Sequence, residues 1–362
     1  MKPIADLPDD PALPGLVAVR AAGLADAMPA LGLGDGPVEL LLCGYTPGSR
    51  VTLEVRAGDR HVAVKAYADD PTPEVVLYQA FAAALAGSTG IAVPRLLAWE
   101  QDLRLLAISW LDGTPANRLV KAGQGRRAGE LAATWLWRVA SLPVKLGPAF
   151  GPGDLLYEVG KSVAQLGAAD HTLGRAAKAV GVALKGTQPK NGYPRLVHGT
   201  LYARHILDLG DGPGVIDWQR FGQGPIEIDA GMFLATLSRL GLRHDGHASE
   251  ATRAEEAFLM GTRGLVDERT LAWYRAAALV HLAARLLKRQ PPPEAQSLLD
   301  EAARWVERAH VGVSAPPVLP APPVRRSALE LVLAALSSTP ATPEELDQIR
   351  KLLDERKERP AS

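Results

Sequence analysis

Strand-forming sequence is concentrated in the first third of this chain, and that asymmetry limits the folds open to it. Val51-Thr-Leu-Glu-Val-Arg56 alternates apolar and polar residues. Ala57-Gly-Asp-Arg60 reads as a turn and His61-Val-Ala-Val-Lys-Ala-Tyr67 runs back, so the segment predicts a β-hairpin. Glu39-Leu-Leu-Leu-Cys43 is another short apolar run, ahead of Gly44-Tyr-Thr-Pro-Gly48. A helix is predicted from about Pro73 to Ala86, stopped by Gly87. Arg95–Trp99 and Leu103–Trp110 then read as two further strands, parted by Glu100-Gln-Asp102. The order is β-β-β-α-β-β.

After Asp112-Gly-Thr-Pro115 the spacing of apolar residues becomes helical, as at Leu131, Trp135, Leu136 and Val139 within Gly129–Leu142, and the Trp135 and Trp137 pair reads as packing within the helical lobe. Leu155–Leu184 is mostly helical in pattern. Leu196–Asp217 is an island with two short apolar runs around Gly210-Asp-Gly-Pro213. From Asp229 to about His310 the helical pattern returns, broken near Gly264 and at Gln290-Pro-Pro-Pro293. The chain therefore reads as α+β, with a small β-rich lobe (31–111) and a larger, mainly helical lobe (112–311) that carries a hairpin. Residues 1–30 form an N-terminal extension. Residues 312–326 are a Pro-rich linker around Ala315-Pro-Pro-Val-Leu-Pro-Ala-Pro-Pro323, and 327–362 a C-terminal helical extension. Its last helix opens at the capping box Thr342-Pro-Glu-Glu345 and is charged on most faces. It reads as solvated, with a protein-partner surface as the alternative.

Composition narrows the class. A length of 362 residues suits two domains or one two-lobed unit, at about 150 residues per domain. Forty Lys+Arg balance forty Asp+Glu, which excludes a general nucleic-acid binder. The 47% hydrophobic content supplies a core. The single cysteine, Cys43, excludes an intramolecular disulfide and a cysteine-based zinc site, and reads as a buried thiol. The N-terminus has no apolar signal region and no stretch is apolar for long enough to span a bilayer, so a cytoplasmic protein without a membrane partner is expected.

Two places carry chemistry. Lys65 sits inside an apolar strand, Val62-Ala-Val-Lys65. A strand lysine is ordinarily an exposed edge charge. The sharper reading is the phosphate-pairing lysine of a kinase β3 strand, usually Val-Ala-Ile-Lys, which needs a carboxylate on the following helix to orient it. Glu74 lies on that helix. The second place is Val197-His-Gly-Thr-Leu-Tyr-Ala-Arg-His-Ile-Leu207, followed by Gly214-Val-Ile-Asp-Trp218 and by Gly224-Pro-Ile-Glu-Ile-Asp-Ala230.

These motifs, in this order, resemble the aminoglycoside phosphotransferase and choline kinase superfamily, the small-molecule relatives of protein kinases. The resemblance covers most of residues 40–290 and includes the hinge-like Ala107-Ile-Ser-Trp-Leu-Asp-Gly113. The turn Tyr45-Thr-Pro-Gly-Ser-Arg50 is similar to that of a branch with maltokinase-like proteins. The resemblance implies a protein-kinase-like two-lobed fold with ATP and Mg²⁺ between the lobes. Lys65 and Glu74 would hold the nucleotide, Asp217 would hold the metal and nucleotide, and a hydroxylated small molecule would be the phosphate acceptor. His198 would brace the catalytic loop, and Asp229 would tie that loop to the next helix.

The departures fall in the catalytic loop. The family's loop aspartate, which takes the acceptor's proton, is Thr200 here, and its metal-binding asparagine is His205. Threonine is no base at neutral pH, and hard Mg²⁺ prefers oxygen to nitrogen. Loss of a general base costs about 10²–10⁴ in rate. Two functions follow: a phosphotransferase with an altered site at Thr200 and His205, or a non-catalytic pseudokinase that binds nucleotide or a partner. His205 also reads as a replacement base or a soft-metal ligand.

Overall fold

The computed structural model describes residues 7–34, 36–87, 90–243, 245–287 and 292–311. The expected linker and C-terminal helices lie outside them. The chain opens with α1 (Pro14–Ala22) and α2 (Leu24–Ala27). Three strands follow, β1 (Glu39–Thr46), β2 (Arg50–Ala57) and β3 (Arg60–Tyr67), then α3 (Thr72–Ala84), β4 (Leu96–Glu100) and β5 (Leu105–Ser109). The strands form one antiparallel sheet in the order β1-β2-β3-β5-β4. Gly58, with φ +54°, takes the first position of the tight β2–β3 turn, where a primed hairpin turn needs glycine.

The period of two along β3 divides the small lobe. Val62, Val64 and Ala66 face the N-terminal helices and pack with Leu13, Leu16 and Val19. Ala63 and Tyr67 face α3 and pack with Val75, Tyr78 and Phe81. Lys65 shares the α3 side, paired in register with Thr52 on one neighbour and Leu106 on the other.

The larger part contains α4 (Ala116–Lys121), α5 (Gly125–Ala140), α6 (Pro152–Ala169), α7 (His171–Gly186), α8 (Glu227–Arg243), α9 (Asp245–Gly261), α10 (Glu268–Leu286) and α11 (Pro292–Val311). Helix α10 is its buried axis: its apolar side chains sit in one cluster with α6, α7 and α11. Two small sheets carry the loops between helices. β6 (Thr114–Pro115), β8 (Ile206–Asp208) and β9 (Pro213–Val215) form one, and β7 (Arg195–Val197) pairs with β10 (Gly222–Gly224) in the other. The expected hairpin around Gly210 is the β8–β9 pair.

Two expectations need correction. Cys43 is exposed. The apolar run it ends belongs to the edge strand β1, which continues to Thr46 across a register shift between Leu42 and Gly44, and the thiol stands at that bulge. Trp137, expected to pack with Trp135 inside the helical lobe, is 43% exposed. Residues two apart on a helix do not share a face, so Trp135 fills the core while the Trp137 indole N–H donates to the Gly261 carbonyl at 2.7 Å.

Candidate functional site

Strand β3 and the first turn of α3 bring two charges together inside the small lobe. Lys65 and Glu74 are each 4% exposed, and Lys65 Nζ lies 2.7 Å from Glu74 Oε1. Two hydroxyls complete the carboxylate: Tyr67 donates to Oε2 at 2.6 Å and Tyr78 to Oε1 at 3.1 Å. Burial, reinforced by Glu74, pushes both phenols well up, so they remain donors. The Tyr67 hydroxyl also accepts from Gln219 Nε2 at 3.2 Å, which joins the small lobe to the segment after Asp217.

Asp217 faces the same lysine, with Oδ1 3.8 Å from Lys65 Nζ and Oδ2 4.0 Å from Arg50 Nη2. Burial opposes its charge, but the cations outweigh it, Lys65 foremost, and hold the carboxyl well below the usual carboxylate range. Its φ of +71° puts a non-glycine residue in the left-handed region, strain of the kind that collects at functional sites.

The loop after β7 is built from the backbone outward. Asp229, at the start of α8, accepts the N–H of His198 at 2.6 Å and of Gly199 at 2.9 Å. Gly199 has φ +76°, and a Cβ there would sit on the Arg220 carbonyl oxygen. His198 is fully buried and its Nε2 donates to the Ile216 carbonyl at 2.9 Å. His205 stacks on His198 with ring centroids 5.2 Å apart. Its Nδ1 donates to the Thr200 carbonyl at 3.0 Å, so Nε2 carries the lone pair. That Nε2 is buried without a hydrogen-bond partner, 3.4 Å from Asp217 Oδ2.

Thr200, His205 and Asp217 open onto a cavity of about 140 Å³. Its far wall is apolar, from Leu155 and Val159 of α6, Ile228 and Met232 of α8, and Ala277 and Ala278 of α10. Arg50, Arg204, Arg220 and Arg285 also line it.

Of the residues singled out in the sequence, Thr200, His205 and Asp217 line this cavity, and Lys65 with its partner Glu74 adjoins it through Asp217. Sequence reading missed Tyr67, Tyr78 and Gln219, which look like ordinary core aromatics and a loop amide. It also missed Asp10. This residue accepts the Tyr45 hydroxyl at 3.0 Å and the Gly48 N–H at 2.7 Å, and so ties the N-terminal segment to the β1–β2 turn just before Arg50.

Comparison with known proteins places this architecture. The model of the phosphotransferase enzyme family matches residues 48–274. A thermostable mutant of aminoglycoside phosphotransferase APH(4)-Ia, apo form, is similar in structure at 15% identity and TM-score 0.58, over 79% of this chain and 99% of that one. Another such mutant, in a ternary complex with AMP-PNP and hygromycin B, is 14% identical with TM-score 0.57, over the same shares. A choline/ethanolamine kinase family protein from Mesorhizobium loti is 20% identical with TM-score 0.50, over 82% of this chain and 94% of that one. The two-lobed α+β fold is thus the kinase-like fold of these proteins. No curated protein matches the chain in sequence.

Proposed function

Since the chain belongs to the phosphotransferase enzyme family, we propose that it binds ATP with a divalent cation in its cleft and passes the γ-phosphoryl group slowly to a hydroxylated small molecule. The observation that carries this reading is the setting of Lys65. A buried ammonium 2.7 Å from Glu74 and 3.8 Å from Asp217 is oriented and charged as a phosphate-holding group has to be. The AMP-PNP complex of a protein of similar fold supports nucleotide binding.

The residues fit a divalent cation. Asp217 is an ionised carboxylate, and the unpartnered Nε2 of His205 is a lone pair aimed beside it. These two side chains would hold the ion. Among the described residues no group of three or more His, Cys, Asp or Glu forms a metal cage, so phosphate oxygens and water would complete its shell. A bound cation supplies neutralisation of phosphate charge. Mg²⁺ is the ion the family resemblance implies, but one oxygen and one nitrogen suit Mn²⁺ better.

The remaining roles fall to the chain itself. Glu74, steadied by Tyr67 and Tyr78, orients Lys65 toward the phosphates. Asp229 and His198 hold the loop so that Thr200 borders the cavity. The loop offers no carboxylate to receive the acceptor's proton, so turnover is expected about 10²–10⁴ below that of a site with a general base. Thr200 also favours a second reading, a binding module that loads nucleotide without turnover.

ADP release from ATP, followed with and without hydroxylated acceptors, tests the reading. Slow release that disappears in Lys65→Met supports phosphotransfer. Nucleotide binding with no release above the Lys65→Met background selects the binding module. Failure to bind nucleotide overturns both.

A further inference from the structure

The cavity beside Thr200 carries positive charge that its own carboxylates do not neutralise. Arg204 comes from the turn before His205, Arg220 follows Gln219, and Arg285 lies in the last turn of α10. Among the described residues none of the three has an ion pair or a hydrogen-bond partner; Arg204 only lies over the Tyr202 ring, 4.3 Å from its centroid. The two carboxylates that line the cavity are already engaged. Glu158 pairs with Lys161 at 2.9 Å, and Asp217 faces Lys65 and Arg50. A further basic side chain of the lining, His281, is held at about 4 by burial and then by Arg285 and Arg220, so it is neutral at pH 7 and registers the positive field around it.

Like charges gathered in a partly desolvated cavity repel one another unless an anion joins them. Guanidinium groups answer that need best when they meet a planar carboxylate or a phosphate through paired N–H donors. The opposite wall, from Val159 to Ala278, takes the uncharged body of a ligand.

We propose that this cavity binds a small anionic acceptor. Its phosphomonoester or carboxylate group lies among Arg204, Arg220 and Arg285, and its hydroxyl faces Thr200 and Asp217. The proposal rests on the phosphotransferase reading above and excludes a polycationic aminosugar as the preferred acceptor. In the transfer, the acceptor oxygen bonds to the γ-phosphorus as the bond from that phosphorus to the β–γ bridging oxygen breaks. ADP leaves, and the hydroxyl proton passes to water.

The test is calorimetric titration at pH 7 and fixed ionic strength, with four probes that share a six-carbon frame and differ in charge. They are glucose 6-phosphate, gluconate, glucose and glucosamine, each added with and without saturating AMP-PNP and Mn²⁺. The expected result is binding of the two anions at least roughly tenfold tighter than glucose, no detectable glucosamine binding, and weakening of the anions by added salt. Arg220→Gln and Arg285→Gln should each weaken the anions about tenfold while AMP-PNP affinity holds. Both side chains are exposed, and thermal midpoints check that the variants fold. Glucose or glucosamine binding as tightly as the anions overturns the proposal, as does failure of both anions to bind or indifference to both substitutions. Loss of anion binding under saturating AMP-PNP overturns it too, by assigning the arginines to the nucleotide. AMP-PNP that fails to bind while the anions still do overturns the nucleotide reading alone.

Discussion

His205 Nε2 and Asp217 Oδ2 stand 3.4 Å apart, two acceptors with no hydrogen between them. The tautomer follows from the other side of the ring, where Nδ1 donates to the Thr200 carbonyl. Burial, then the neighbouring His198, holds the imidazole well below its ordinary value, so a proton does not bridge the pair at neutral pH. A bound cation would take both atoms as ligands.

The first expectation is a metal preference. AMP-PNP should bind about tenfold more tightly with Mn²⁺ than with Mg²⁺, and His205→Asn should abolish or reverse that preference. Calorimetry measures the affinities. Electron paramagnetic resonance of bound Mn²⁺ should show nitrogen coupling that the variant lacks. Equal affinities and no nitrogen signal would remove His205 from the metal.

Glu74→Gln leaves Lys65 buried with its close carboxylate gone. Breaking a buried pair by removing one partner is costly, here about 3 kcal/mol. Chemical denaturation should show that loss, together with weaker AMP-PNP binding. A variant as stable as the parent would show that the pair at 2.7 Å contributes nothing net.

Thr200→Asp supplies a base, and His205→Asn restores an oxygen ligand. The double change should raise turnover by more than the product of the two single effects, because both groups act on one transition state. ADP release from all four proteins at equal Mg²⁺ measures it. Robust turnover in the parent that falls in Thr200→Asp would mean that the existing loop is a working site of another kind.

The strand of Lys65 and the helix of Glu74 were legible because each has a local signature, period two in one and a Gly stop after a helical run in the other. The loop from His198 to Asp217 was legible through its motif. The rest of the site was not, for reasons of distance along the chain. Tyr67 and Gln219 are 152 residues apart, and only the folded cleft brings them to 3.2 Å. Arg204, Arg220 and Arg285 carry no shared spacing, so their convergence on one cavity is a property of α10 packing beneath the loop. Cys43 and Trp137 were misread for a related reason. An apolar run does not say whether its strand lies at a sheet edge, and a helical pattern two residues out of phase points away from the core.

Acid should act on His281 through linkage. Its folded value of about 4 lies below the ordinary 6.5. Between those values the unfolded chain binds a proton that the folded chain refuses, so its contribution is full above pH 6.5 and lost as pH falls toward 4. Asp229 runs the other way: burial pushes it up to about 7 from 3.8, and acidification through that window favours the folded state. Thermal melts of the parent and His281→Gln from pH 7 to pH 4 separate the two, since the variant should lose less stability than the parent. Parallel profiles would show that His281 titrates normally.

Titration of AMP-PNP and Mn²⁺ into the parent and into Asp217→Asn bears most directly on the central claim, that this cleft holds a metal–nucleotide between Lys65 and Asp217. The parent should bind one nucleotide, with the cation required. Asp217→Asn should bind it at least roughly tenfold more weakly, because the amide can neither hold the cation nor offset the charge on Lys65. Equal nucleotide affinity in the two proteins would contradict the claim.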